Sequence, residues 1–177
     1  MSNSSGLEIE RKYLIERPDE TLLAAINGAY KYDIEQIYLP TSPDSDAARI
    51  RRRVGKDGVE CFYTVKKRVS ALTRIEDERR ITDETYEALA ASAGEHPAVI
   101  RKTRWCLPCG EHIAEVDIYP FWHNVAVVEV ELGREDERFE LPAILHVLRE
   151  VTGEKKYLNR DMAYELQKNG RVEEPQI

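Results

Sequence analysis

The stretch "LEIERKYLI", residues 7–15, decides the fold. Drawn as a β-strand, its side chains alternate between two faces. Leu7, Ile9, Arg11, Tyr13 and Ile15 share one face, while Glu8, Glu10 and Lys12 share the other, followed by Leu14. Two acids and a base then stand side by side within a few ångströms. The fold depends on whether that face meets bulk water or lines a site.

The same period-two charge recurs along the chain. Strand-like runs fall at about 6–16, 31–39, 47–54, 59–68, 73–81, 98–107, 111–120 and 124–133. The third run carries Arg49, Arg51 and Arg53; the fourth Lys66 and Arg68; the fifth Arg74, Glu76, Glu78 and Arg80. The sixth carries Lys102 and Arg104, the seventh Glu115 and Asp117, the eighth Glu129 and Glu131. A single strand of this kind reads as an ordinary solvated face. The set reads differently. The alternate positions in the last two runs are apolar (Ala114, Val116 and Ile118; Ala126, Val128, Val130 and Leu132), so they suit burial under helices. The charges also segregate by strand, basic in runs three, four and six and acidic in seven and eight, where a solvated face usually mixes signs. Eight strands can close into a barrel that holds a ligand, and unpaired charges inside it would each cost several kcal/mol. A charged ligand resolves that cost.

Turn signals separate many of the runs: "PTSPDSD" at 40–46, "GKDG" at 55–58 and "LPCG" at 107–110. Helical spacing appears in "RPDETLLAAINGAY" after the first run, and in 82–94, 142–153 and 159–170. Thr82 or Asp83 suits an N-cap, Gly94 a stop, and Pro142 a first helical turn. The expected architecture is α+β: an eight-stranded antiparallel closed barrel with helices packed outside.

Bulk properties bound the function. A chain of 177 residues can bury a core as one domain. Charged residues are 33%, but mixed signs and 42% hydrophobic content oppose wholesale disorder. A net charge of -7 argues against a general nucleic-acid binder that relies on bulk attraction. No apolar run approaches the ~20 residues that span a bilayer. "MSNSSG" has no basic or apolar leader region, so a cytoplasmic protein is expected, and a homodimer is compatible with the sequence. "WCLPCGEH" has the spacing of a redox motif but lies between two strand-like runs, so Cys106 and Cys109 read as reduced thiols flanking a turn. With His112 they do not complete a zinc-finger ligand pattern. His96, His112, His123 and His146 read as surface or edge residues.

A wall of Arg and Lys suits phosphate oxygens. A wall of Glu and Asp suits hard cations such as Mg²⁺ or Mn²⁺. Both walls in one cavity describe a metal-bound polyphosphate, and no Walker-type glycine loop is present.

The ordered series "LEIERKYLI", "YL" at 38–39, "RIRRR" at 49–53, "YTVKK" at 63–67, "RIEDERRI" at 74–81, "IRKTRW" at 100–105, "AEVDIY" at 114–119, "VVEVEL" at 127–132 and "EVTGEKKYLN" at 150–159 resembles the CYTH superfamily, the triphosphate tunnel metalloenzymes. The resemblance implies a CYTH domain over 6–170, with 1–5 and 171–177 as flexible tails. It implies a tunnel that binds a small-molecule triphosphate with a divalent cation, two ions per site with substrate. Members hydrolyse tripolyphosphate, thiamine triphosphate or RNA 5′-triphosphates, or cyclise ATP. The metal-side carboxylates would be Glu8, Glu10, Glu129 and Glu131, with Asp117 and Glu115 beside them. The phosphate set would be Lys12, Arg49, Arg51, Lys66, Arg74, Lys102, Arg104 and Lys156, with Lys155 the alternative to Lys156 at the tunnel end. Glu76 and Glu78 would share the motif strand of Arg74. Glu129, Asp117, Lys12 and Tyr38 are the candidates for catalytic roles. The expected activity is metal-dependent hydrolysis of inorganic tripolyphosphate. The alternatives are a thiamine or nucleoside triphosphatase, a class IV-like adenylate cyclase, and a polyphosphate- or nucleotide-binding module without turnover. The loop "KKRVSALT" at 66–73 is longer and more basic than in the smallest bacterial members, and resembles CYTH domains fused to P-loop ATPase modules.

Overall fold

The computed structural model describes residues 4–40, 47–68 and 73–176, with side chains over 9–40, 48–65 and 77–176. Its elements run β1 (Ser4–Glu16), α1 (Glu20–Ala24), β2 (Tyr30–Leu39), β3 (Ala47–Gly55), β4 (Gly58–Arg68), β5 (Thr73–Ile81), α2 (Asp83–Ser92), β6 (Ala98–Cys109), β7 (His112–Ile118), β8 (Val125–Leu132), β9 (Val147–Glu150) and α3 (Asn159–Asn169). The architecture is α+β. All strand pairings are antiparallel in one sheet of order β5-β4-β3-β2-β6-β7-β8-β1-β9, with a further ladder between β1 and β5. The eight expected strand runs are all present, and a ninth is added.

The ninth strand replaces an expected helix. Residues 142–153 have helical spacing, but the Leu145 amide closes a turn on the Pro142 carbonyl and the chain then extends as β9. The reason lies in β1. One edge of β1 pairs with β8 over residues 9–16; the other pairs with β5 over 4–9 and leaves the following residues open. β9 pairs with Tyr13, Leu14 and Ile15 on that open edge. Unpaired strand edges are costly, so tertiary pairing outweighs local periodicity.

The alternation read from the sequence organises the core. Ala114, Val116, Ile118, Ala126, Val128, Val130 and Leu132 are all buried in one cluster with Leu23 of α1, Trp105 and Leu107. On the same outer face, α2 places Tyr86 against Ile37, Leu39, Ala48, Ile50 and Cys61. Asp19 caps α1 by accepting from the Thr21 amide at 2.8 Å, and Thr82 caps α2 by accepting from the Thr85 amide at 3.2 Å.

α3 differs from the expectation that every helix packs outside. Met162 and Ala163 cluster with Leu14, Tyr38, Ile100 and Val127, which share strand parity with the charged residues. The charged face is therefore apolar at one end, and α3 covers that end. Residues expected to form a loose C-terminal tail complete the cover. Val172 is buried in this cluster, the Glu173 carbonyl accepts from the Trp122 indole, and the Glu174 carboxylate accepts from the His123 amide. Residues 1–3 and 177 lie outside the described residues, as does the 69–72 part of the basic loop. Among the described residues no helix is long and apolar enough to cross a membrane.

Candidate functional site

Adjacent strands carry their charges in register. Glu10 stands directly across from Glu131, and Lys12 across from Glu129, between β1 and β8. Glu115 stands across from Glu129 between β7 and β8, and Arg104 across from Asp117 between β6 and β7. Like charges directly opposed on one face destabilise a sheet unless a cation lies with them.

Arg104 supplies one such cation. Its Nε donates to Asp117 at 2.6 Å and its Nη2 to Asp117 at 2.7 Å and Glu129 at 2.6 Å, while Nη1 pairs with Glu115. Lys12 lies 2.6 Å from Glu129 and 4.0 Å from Glu10, and donates to the Tyr157 carbonyl at 3.3 Å. Lys102 pairs with Asp117 and reaches Asn159 Oδ1 at 3.5 Å; the Tyr119 hydroxyl donates to the same oxygen at 2.7 Å. Lys12, Lys102, Arg104, Asp117 and Glu129 are all buried. They form one ion network directly above the apolar end that α3 covers.

Burial and charge divide the protonation behaviour of this layer. Burial opposes the Glu129 charge, but Lys12 and Arg104 hold its carboxyl well below the usual range. Burial likewise opposes the Lys12 ammonium, and Glu129 with Glu10 more than offsets it, so its pKa rises. Lys102 goes the other way: burial and then Arg104 push it down to about 8, with Asp117 only a partial counterweight. Tyr38 is pushed up by burial despite the Arg49 charge nearby, so it stays a neutral donor.

A second part of the site lies on β3 and its neighbours. The Arg51 Nη2 donates to Glu78 Oε2 at 2.8 Å, and the fully buried Thr64 hydroxyl donates to the same oxygen at 2.8 Å. Arg49 stands across from Tyr38, whose hydroxyl accepts from Gln36 Nε2 at 3.3 Å. The side chains of Glu8, Lys66, Arg74 and Glu76 lie outside the described residues. In backbone register Glu8 faces Arg74, and Lys66 faces Glu76. Lys156 is exposed, with its ammonium 5.0 Å over the Tyr157 ring and no contact with the buried network, and Lys155 is exposed as well.

The structure thus brings together Glu10, Lys12, Lys102, Arg104, Glu115, Asp117 and Glu129 on one face, with Tyr38, Arg49, Arg51 and Glu131 on the same parity. Sequence reasoning passed over Asn159, Gln36 and Thr64. Gln36 and Thr64 carried a legible signal: each is polar, two positions from a site residue, on the face that the charges define. Asn159 had none beyond its place at the start of a helix.

The oxygen-only donor set suits a hard divalent cation in ligand type. Glu10 stands opposite Glu131, one backbone rung from Glu8, with the Lys12 ammonium 4.0 Å from Glu10. Among the described residues, no three His, Cys, Asp or Glu side chains already stand as a cage. The cysteines form no disulfide. Cys106 and Cys109 are three residues apart on a strand and face opposite ways, both thiols are free and buried, and burial pushes Cys106 up to about 11. Pro108 falls beyond the part of β6 that pairs with β2, where its missing N–H costs no ladder bond.

No protein-family model matches the chain, and no curated protein matches it. Solved structures do. The inorganic triphosphatase NE1496 is 28% identical over 88% of this chain and 93% of its own, with a TM-score of 0.54. PH1819 from Pyrococcus horikoshii OT3 is 23% identical over 73% of this chain and 81% of its own, with a TM-score of 0.55. HpAC1 from Hippeastrum, a putative adenylyl cyclase with a dominant triphosphatase activity, is 18% identical over 72% of this chain and 80% of its own, at 0.53. The last two share the fold alone. With the strand-by-strand series of charged motifs on one face of this same fold, these neighbours are consistent with a CYTH superfamily domain in this chain.

Proposed function

We propose that this chain is a metal-dependent triphosphatase that hydrolyses inorganic tripolyphosphate to pyrophosphate and phosphate. The observation that carries the reading is the buried ion network of Lys12, Lys102, Arg104, Asp117 and Glu129. Its cost is justified by a ligand that needs both signs. The 28% identity to an inorganic triphosphatase supports the same substrate class. The β1–β5 ladder supports closure of the first eight strands into a tunnel, with α3 at one end.

A divalent cation, Mg²⁺ or Mn²⁺, held by Glu10 and Glu131 with Glu8 on the next rung, would neutralise phosphate charge and supply an acidified water. The chain's own groups do the rest. Arg49 and Arg51 bind phosphate oxygens, with Glu78 and Thr64 holding Arg51 in position. Lys12, Lys102 and Arg104 exchange carboxylate partners for phosphate oxygens and offset the charge that spreads over them as the terminal P–O–P bond breaks. Tyr38 keeps its proton and donates a hydrogen bond. Because these donors are fixed by neighbouring strands, little reorganisation is needed as charge develops.

Arg51→Ala checks the phosphate wall. Loss of a charge-assisted contact should raise KM for tripolyphosphate by about 10–100-fold, with a smaller change in kcat. Steady-state phosphate release measures it, and an unchanged KM and kcat would contradict the assignment.

A further inference from the structure

Beyond Arg51, β3 carries one more arginine on the charged face. Arg53 is one rung further from Tyr38 and α3, beside the β3–β4 hairpin. Its guanidinium carbon lies 4.7 Å from the Tyr32 ring centroid on β2 and 4.7 Å from the Phe62 ring centroid on β4. Glu60 accepts from Arg53 Nε at 2.7 Å, and Arg80 flanks the same carboxylate at 3.3 Å. The three stacking groups come from three neighbouring strands and are half-buried. A Cβ at Gly55 would lie 2.7 Å from two Tyr32 ring carbons, so the bare backbone there is what lets that ring lie against β3. This is a built slot, with a planar cation already in it.

Its position gives it a consequence. Tyr32 stands directly across from Arg104 on β6, and Phe62 directly across from Arg51 on β3. The slot therefore borders the phosphate wall on two sides. A planar ring attached to a bound triphosphate would seek a sandwich between two aromatic faces, which is worth about 1–3 kcal/mol for a nucleobase. Here the chain's own guanidinium, also planar and favourably stacked on aromatic rings, holds that space.

We infer that Arg53 is a specificity-determining residue: stacked between Tyr32 and Phe62 and held by Glu60, it occupies the slot that the ring of a nucleoside triphosphate would need. The chain therefore favours a triphosphate without an organic ring. The inference rests on the triphosphatase reading above and names the feature that would set its substrate class. It assigns Arg53 no contact with phosphate.

The test compares kcat/KM for ATP and for tripolyphosphate in the wild type, Arg53→Ala, Glu60→Gln, and the double variant Arg53→Ala with Tyr32→Leu. Arg53→Ala should raise the ATP-to-tripolyphosphate ratio by about tenfold or more, with tripolyphosphate efficiency held within about threefold. Glu60→Gln, which loosens Arg53 without removing it, should move the ratio the same way by less. Tyr32→Leu in the Arg53→Ala background should return the ratio towards wild type, because the gain requires the ring. An unchanged ratio in both single variants, or an equal loss on both substrates, would overturn the inference. If the wild type releases no phosphate from tripolyphosphate, the triphosphatase reading fails by itself. Calorimetric binding of a non-hydrolysable ATP analogue then decides the slot: about tenfold tighter binding to Arg53→Ala supports it and equal binding overturns it.

Discussion

Replacing Arg104 by methionine should cost about 3–5 kcal/mol of folding stability, because it strips the shared counter-ion from buried carboxylates. Arg104 binds Asp117 through two nitrogens and Glu129 through one, and pairs with Glu115; Asp117 is 0% exposed. Methionine keeps much of the volume and removes the charge. Glu129 would then keep Lys12 and Asp117 would keep Lys102. In a domain of this size the loss corresponds to a fall in Tm of about 6–20 °C. Thermal unfolding followed by circular dichroism measures it. A shift below about 2 °C would show that the network is not held together through Arg104.

Glu131→Gln should lower turnover on tripolyphosphate by at least about a hundredfold at millimolar Mg²⁺ while leaving Tm nearly unchanged. Glu131 is exposed and stands opposite Glu10, so an isosteric amide removes a negative charge without emptying the core. Stability and activity should therefore separate here, whereas they fall together at Arg104. Raising the Mn²⁺ concentration should recover part of the rate, because the defect is in affinity for the cation. Wild-type turnover in the variant would remove Glu131 from the metal assignment.

Much of this was legible in strand periodicity. The alternation in "LEIERKYLI" places Lys12 in the buried network and Ile15 in the opposite core. The apolar alternation in β7 and β8 foretold the buried outer face, and Thr82 with Gly94 bounded α2 because capping chemistry is local. The misreadings share a cause: each depended on a partner distant in sequence. Residues 142–153 have the spacing of a helix but extend because β1 leaves an edge open from Tyr13 to Ile15. α3 was expected outside, but Leu14, Ile100 and Val127 make one end of the charged face apolar and give Met162 and Ala163 a place to bury. Val172 sits in a polar segment, and only the folded Trp122–Val125 corner shows where it goes. Within the site, residue types and register were readable. The pairing of acids with bases across strands was not, because it depends on which strands become neighbours.

The most direct test of the central claim is release of phosphate by the purified chain from tripolyphosphate, with ATP, GTP and thiamine triphosphate in parallel, each with Mg²⁺, with Mn²⁺ and with chelator. The account predicts stoichiometric phosphate and pyrophosphate from tripolyphosphate, dependent on the added cation, at a higher kcat/KM than for the three organic triphosphates. Tight binding of tripolyphosphate without release of phosphate under either cation, or cyclic AMP as the main product from ATP, would contradict it.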